Sequence, residues 1–489
     1  MIDRRIDNET EVSITRSDHR LLTLNFTSRS TAAIMPLSSF SDLISRWTKR
    51  CSNKKRKTVL FAPLDSLGHI NSLISIANHL KQHNHRTIFL FIEPIENKLK
   101  QSGHEVYDST TPDLVESIPT DTAQDKWNEV IQACADVWAT GDIIKNHENE
   151  MQKGFGTMIE DIKKYNGNIE KKLQLIKPDI LIIDHYFGIP ALFKTNLPWI
   201  RIVSASPLSL HNNPELPCPW LGLPTKLDLS DPRQKDWEER GRAAFKKLYD
   251  IYNEYWRSQG FPDLPTNPVA FIPKSPYLNI YMYPEELDYN EYPLEGWKRC
   301  DSIVRDQKAT KFQIPEKLRD KPGKLIFLSL GSLASAEVGL MKRITQLLAD
   351  CPHRFIVCKG PCHNEYELPD NMWGDKFVPQ LEVLTSIDLI ITHGGNNTIS
   401  ESFFYGVPGF IICPLFSDQF DNAQRLEEKG LGIRLDPYNC TKEQLHGAIE
   451  TMLNKPDVKE RMRTISERMQ KPEARNRAMH LVKEMVDRH

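Results

Sequence analysis

The sequence predicts an α/β protein made of two doubly wound domains, and three observations predict it. Short apolar runs recur along the chain: Thr58 to Ala62, Ile88 to Ile92, Ile180 to Ile183, Leu325 to Leu330, Phe355 to Cys358, Leu389 to Ile391 and Phe410 to Cys413. Runs of this kind read as strands buried on both faces of a parallel sheet. Two of them, one in each half, open into a glycine turn followed by a helical pattern, the opening unit of a doubly wound domain. The length, 489 residues, suits two or three domains, and 39% hydrophobic residues supply their cores.

The bulk composition narrows the function. A charged fraction of 26% with a net charge of −2 gives no reason to expect nucleic acid as a partner. Nine cysteines without even pairing fit a reducing compartment. Cys351, Cys358, Cys362 and His363 form a local cluster, but their spacing fits no common zinc site and Cys358 falls inside an apolar run, so no metal site is expected. No run approaches the ~20 apolar residues that span a bilayer. The opening MIDRRIDNETE has acids and no apolar core, unlike a secretory signal. The chain is therefore expected to be cytoplasmic, without a transmembrane anchor.

Residues 1–56 are polar, rich in Ser, Thr and Arg, and lack sustained periodicity; a flexible N-terminal extension is expected. The basic run Lys49-Arg50 and Lys54 to Lys57 reads as a solvated linker, a nuclear address and an anionic-lipid contact being the other uses of such a run. Asp3, Asp7, Glu9, Glu11 and Asp18 argue against a transit peptide. Met35 is a candidate alternative start, which detection of Met1 in the native protein would dispose of.

The first domain is expected over 57–300. Its first strand leads into the loop Pro63 to His69, and Ile70, Leu73, Ile74, Ala77 and Leu80 follow at helical spacing. Residues 110–175 read as mostly helical, with Trp127, Trp138, Phe155 and Met158 among charges, and part of a ligand pocket is placed there. Ile180 to Ile183 ends in Asp184, an acid at the carboxyl end of a buried strand. The prolines of 211–225 exclude regular structure and suggest a pocket-lining loop. Residues 232–258 read as a surface helix and Tyr277 to Met282 as a closing strand. A linker is expected at 301–322 and the second domain over 323–455, opening on a strand into the Gly331-Ser332 turn. Residues 456–489 read as a charged helical tail with Ala478, Leu481, Val482 and Met485 on one face.

The chemistry concentrates between Ile391 and Asn422. An apolar strand is broken by His393-Gly394-Gly395, and the N-cap types Asn396, Asn397 and Thr398 begin a helical pattern. Strand, glycine turn and helix N-terminus make an anion site. The side chains of His393, Asn397 and Thr398 add donors suited to a diphosphate. Glu401 lies one turn on; a carboxylate there repels phosphate and suits two adjacent hydroxyls, as on a ribose. Asp418-Gln419 follows the next strand, where ligands of an open α/β sheet bind, and suits the hydroxyls of a sugar. The composite is a nucleotide sugar.

This pattern resembles the donor signature of the UDP-glycosyltransferase family. The resemblance runs through Phe377-Val378-Pro379-Gln380, Leu384, His393-Gly394-Gly395, Asn397, Glu401, Gly406-Val407-Pro408, Pro414, Asp418-Gln419 and Asn422. It implies the GT-B fold, two doubly wound Rossmann-like domains facing across a cleft, with the acceptor in the first and the UDP-sugar in the second. It implies that the last helix crosses back to the first domain. It implies catalytic roles for His69 as general base and Asp184 as its support, and donor contacts from Gly68, Gly331, Ser332, Phe377, Val378, Gln380, His393, Gly395, Asn397, Thr398, Glu401, Asp418 and Gln419. Many relatives carry tryptophan where Phe377 stands, stacking on uracil; phenylalanine stacks with less area.

The expected reaction is inverting transfer of a sugar to a small lipophilic hydroxylated acceptor, without cofactor. No Asp-x-Asp triplet marks a metal-dependent fold. Gln419 resembles members that use UDP-glucose, and detoxification of xenobiotics follows from family habit. Two other readings stay open: a UDP-sugar epimerase or hydrolase on the same fold, and a non-catalytic UDP-sugar-binding protein. Oligomeric state has no signal in the sequence.

Overall fold

A computed structural model describes residues 56–92, 99, 103–113, 141–265, 271–305 and 312–489, with the backbone of three strands nearer the N-terminus. The chain divides into two units, 1–56 and 57–489.

In the first unit, β1 (Val12–Asp18), β2 (Leu21–Phe26) and β3 (Ala33–Pro36) form an antiparallel sheet in the order β1-β2-β3, with Val12 opposite Phe26 and Leu21 opposite Pro36. These strands occupy part of the segment read from sequence as an extension without periodicity. Val12, Ile14, Leu22, Leu24 and Phe26 alternate with polar residues, a period-two signal over runs too short to stand out.

The second unit holds two parallel sheets. The first consists of β4 (Thr58–Pro63), β5 (Arg86–Phe91), β6 (Glu105–Asp108), β7 (Ile180–Asp184), β8 (Trp199–Val203), β9 (Leu278–Tyr281) and β10 (Lys298–Arg299), ordered β10-β9-β8-β7-β4-β5-β6. Its strands alternate between two cores, as buried parallel strands must. Leu60, Ile88, Leu181 and Ile183 face α3 (Gly156–Ile176) and α4 (Pro232–Ser258) through Ile162, Leu173, Phe245 and Tyr252. Val59, Phe61, Phe89 and Ile182 face α1 (Leu67–Gln82) on the other side. Helix α2 (Ile143–Asn149) runs into α3 through a π-helical turn at Glu150–Phe155.

The second sheet consists of β11 (Leu325–Ser329), β12 (Arg354–Cys358), β13 (Met372–Asp375), β14 (Leu389–Thr392), β15 (Phe410–Ile412) and β16 (Gly432–Arg434), ordered β13-β12-β11-β14-β15-β16. It is covered by α5 (Val338–Leu347), α6 (Asn396–Tyr405), α7 (Gln419–Glu428), α8 (Lys442–Leu453) and α9 (Pro456–Met469). Pro472 starts α10 (Pro472–Arg488) after a short break. Ala478, Val482, Met485 and Val486 of α10 pack into the core of Val59, Phe61 and Leu73, so the last helix returns to the first sheet.

Both sheets reverse strand order beside their central strand: at β4, between β7 and β5, and at β11, between β12 and β14. The crevices outside such switch points are where ligands of open α/β sheets bind. The loops after β4 and β7 and those after β11 and β14 carry the residues described next.

Candidate active site

On the first sheet, Pro63 lies opposite Asp184, so the loops after β4 and β7 start side by side. Ser66 caps α1, its side chain accepting the N–H of His69 at 3.5 Å, as N-cap serines do. This puts His69 in the first turn, beside the end of β7. His69 Nδ1 lies 3.1 Å from Asp184 Oδ2. Ser204, just past β8, stands 3.1 Å from the same nitrogen and donates its hydroxyl to Asp184 Oδ2 at 2.6 Å; its backbone N–H reaches Asp184 Oδ1 at 3.3 Å. Burial alone would depress the His69 pKa, but the charge and hydrogen bond of Asp184, with the charge of Asp418, leave it raised above 6.5. The Tyr186 ring meets the imidazole edge-on at 5.5 Å. His185, by contrast, is buried, accepts the Phe187 N–H, and is pushed down to about 4.

On the second sheet, α6 begins directly after the glycine turn, with Gly395 as N-cap and no side-chain cap. The His393 ring sits between Gly331 and Gly395. A Cβ on Gly331 would lie 2.7 Å from the ring, and one on Gly395 closer still; Gly331 also has φ +76. Glycine is required there by space as well as by conformation. Burial pushes His393 down to about 4, so it is a neutral donor or acceptor at neutral pH. The Ser332 side chain lies outside the described residues, as do Trp127 and Trp138.

Gln380, Thr398 and Glu401 come together as one cluster. Gln380 Nε2 donates to Glu401 Oε2 at 2.6 Å and to Thr398 Oγ1 at 3.4 Å. Glu401 is 4% exposed. Its other oxygen accepts Arg305 Nε at 3.1 Å and Nη2 at 2.8 Å. Phe377 is 51% exposed, whereas Val378 is packed in the core.

Gly68, Asn397 and Asp418, three of the expected donor contacts, also bond across the two halves. Asn397 Nδ2 donates to the Gly68 carbonyl at 2.6 Å, and its oxygen accepts the Ser72 hydroxyl at 2.8 Å. Asp418 Oδ2 accepts the Ser206 N–H at 2.9 Å and Asn422 Nδ2 at 3.3 Å. Burial raises the Asp418 pKa, with these bonds and His69 opposing. Gln419 Oε1 accepts the N–H groups of Leu415 and Phe416 at 3.0 and 3.4 Å, leaving its NH₂ as the donor. The proline-rich loop docks on α7: Asp421 accepts the N–H of Trp220 at 2.9 Å and of Gly222 at 3.3 Å, and Arg425 donates to the carbonyls of Leu287 and Asp288.

Ser204 and Arg305 belong to this site and were not singled out from sequence. Ser204 had a weak signal, a hydroxyl at the carboxyl end of an apolar run. Arg305 had none, being one cation in a linker.

Two parallel Rossmann-like sheets, each covered by helices, make the GT-B fold. Solved structures agree on the fold: the glycotransferase of kitacinnamycin superposes with a TM-score of 0.61 at 18% identity over 88% of this chain and 99% of that one. CalG4, the calicheamicin glycosyltransferase, gives 0.60 at 18% over 89% and 99%. Residues 316–489 match the model of the family UDP-glucoronosyl and UDP-glucosyl transferase.

UDP-glucosyltransferase 2 of Dactylopius coccus is 27% identical over 318 residues, 59% of each chain. UDP-glucuronosyltransferase 2B16 of Oryctolagus cuniculus is 36% identical over 104 residues, 20% of each. These matches thus span less than two thirds of either relative. Oleandomycin glycosyltransferase of Streptomyces antibioticus is 23% identical over 86% of this chain and 89% of its own. Among the described residues, no helix is long and apolar enough to cross a membrane.

Proposed function

We propose that the chain transfers a sugar, glucose in the first instance, from a UDP-sugar to a hydroxyl of a small lipophilic acceptor, with inversion and without a metal. The observation that carries this reading is the His69–Asp184 pair at 3.1 Å. With Nδ1 turned to the carboxylate, Nε2 is the basic nitrogen and can take the acceptor's proton. The oxygen then attacks the anomeric carbon from the face opposite UDP. Asp184 supports the imidazolium as it forms, and Ser204 fixes the carboxylate. Charge building on the leaving diphosphate meets the uncapped N-terminus of α6, with neutral His393 beside it.

Gln380 and Glu401 suit the ribose, Phe377 the uracil, and Asp418 with Gln419 the sugar. A location in the cytoplasm and a role in detoxifying xenobiotics belong to this proposal and rest on family habit.

UDP release from UDP-glucose, with and without a panel of phenolic and aliphatic alcohols, tests it. Acceptor-dependent release is expected. Release without any acceptor supports a hydrolase or epimerase instead, and UDP binding without release a binding protein.

A further inference from the structure

Glu150 is a surrounded carboxyl that the chemistry above leaves unused. Glu150 opens the π-helical turn between α2 and α3. Such turns insert a residue, re-aim the side chains around it and recur at functional sites. Glu150 Oε2 accepts the backbone N–H of Ser417 at 3.2 Å, from the first-sheet half to the second. Ser417 has φ +53, a left-handed conformation that a serine holds only where its surroundings fix it. The next two residues are Asp418 and Gln419. Asp418 is pinned by Ser206 and Gln419 by Leu415 and Phe416, so the whole turn is held from several sides. Burial pushes the Glu150 carboxyl up to about 8, the Ser417 N–H opposing and the Asp418 charge adding. In either protonation state it offers an oxygen to that N–H.

We propose that Glu150 is a positioning residue for the donor sugar: from the acceptor-side helix it holds Ser417 in its left-handed turn and so sets the Asp418-Gln419 pair against His69. This rests on the reading that Asp418 and Gln419 take the sugar hydroxyls. Glu150 touches neither the uracil nor the diphosphate in this scheme, so it separates sugar affinity from nucleotide affinity.

The test is calorimetric titration of UDP and of UDP-glucose into wild type, Glu150→Ala and Glu150→Gln. Loss of a buried hydrogen bond is expected to raise the Kd of UDP-glucose roughly tenfold in Glu150→Ala, with that of UDP changed less than about twofold. Glu150→Gln keeps an acceptor oxygen and is expected to stay near wild type for both. Equal weakening of both ligands in Glu150→Ala, no weakening of either, or a Glu150→Gln variant as impaired as Glu150→Ala overturns the proposal. If Glu150→Ala does not fold, Glu150→Asp, a methylene too short to reach Ser417, takes its place with the same expectations. A wild type that binds both ligands but transfers no sugar overturns the transferase reading and leaves this comparison of affinities intact. A wild type that binds UDP but not UDP-glucose overturns the sugar role of Asp418-Gln419, and the proposal with it.

Discussion

The amide of Asn397 donates to the carbonyl of Gly68 across 2.6 Å, joining the N-terminus of α6 to the turn that carries His69. The same side chain accepts the Ser72 hydroxyl. Asn397 therefore ties the start of α6 to α1, the helix that carries His69. Asn397→Ala is expected to lower kcat by about tenfold, the scale of a lost hydrogen bond, with UDP affinity nearly unchanged. Titration calorimetry beside steady-state kinetics checks this; a large loss of UDP affinity would instead mark a phosphate contact.

Asp184→Asn removes the charge that keeps the His69 pKa raised against burial. The sign follows directly: without that charge burial pulls the pKa down, so the acidic limb of kcat/KM moves to lower pH. The maximal rate falls as well, because the imidazolium loses its support. A pH–rate profile whose acidic limb stays fixed in Asp184→Asn contradicts the assignment of His69 as the base.

Ser204 donates to Asp184 at 2.6 Å and approaches His69 at 3.1 Å. Ser204→Ala is expected to cost roughly threefold to tenfold in kcat, the scale of one net hydrogen bond, with a normal melting curve. A variant with unchanged kcat removes Ser204 from the site.

Gly395→Ala would drive a methyl group into the His393 ring. UDP affinity is expected to fall and stability to drop by about 1–3 kcal/mol, the usual cost of overpacking. Denaturant unfolding and UDP titration together check this, and wild-type values for both would show that His393 does not fill the space between the glycines.

Asp421 and Glu150 are acids whose folded pKa values are raised to about 8 from 3.8 and 4.5. The folded state thus holds protons that the unfolded state releases. Their contribution to stability is present below about pH 4 and is lost as pH rises toward 8. Asp421→Asn keeps an acceptor for the Trp220 and Gly222 N–H groups without the charge, and is expected to flatten the fall in Tm between pH 6 and pH 9. A slope as steep as wild type contradicts it.

Both sheets could be read in the sequence because parallel strands buried on two faces need unbroken apolar runs, as in Ile180 to Ile183. The His393 turn and Glu401 were legible because short spacing places them on one helix end. His69 and Asp184 were legible only through the family pattern, since the sheet brings them together. Glu150, Ser204 and Arg305 were not, because each meets its partner from a distant loop or turn and none disturbs a periodic pattern. The π-helical turn hides for the same reason: helical spacing continues on either side of it. Asn397 shows the opposite case, a motif residue whose partners, Gly68 and Ser72, lie in the other half.

The decisive measurement is acceptor-dependent UDP release by wild type and His69→Ala at equal UDP affinity. Loss of a general base is expected to reduce release by about two to four decades while UDP titrates into both proteins alike. Release by His69→Ala at the wild-type rate, or release from wild type that ignores the acceptor, would contradict transfer through His69.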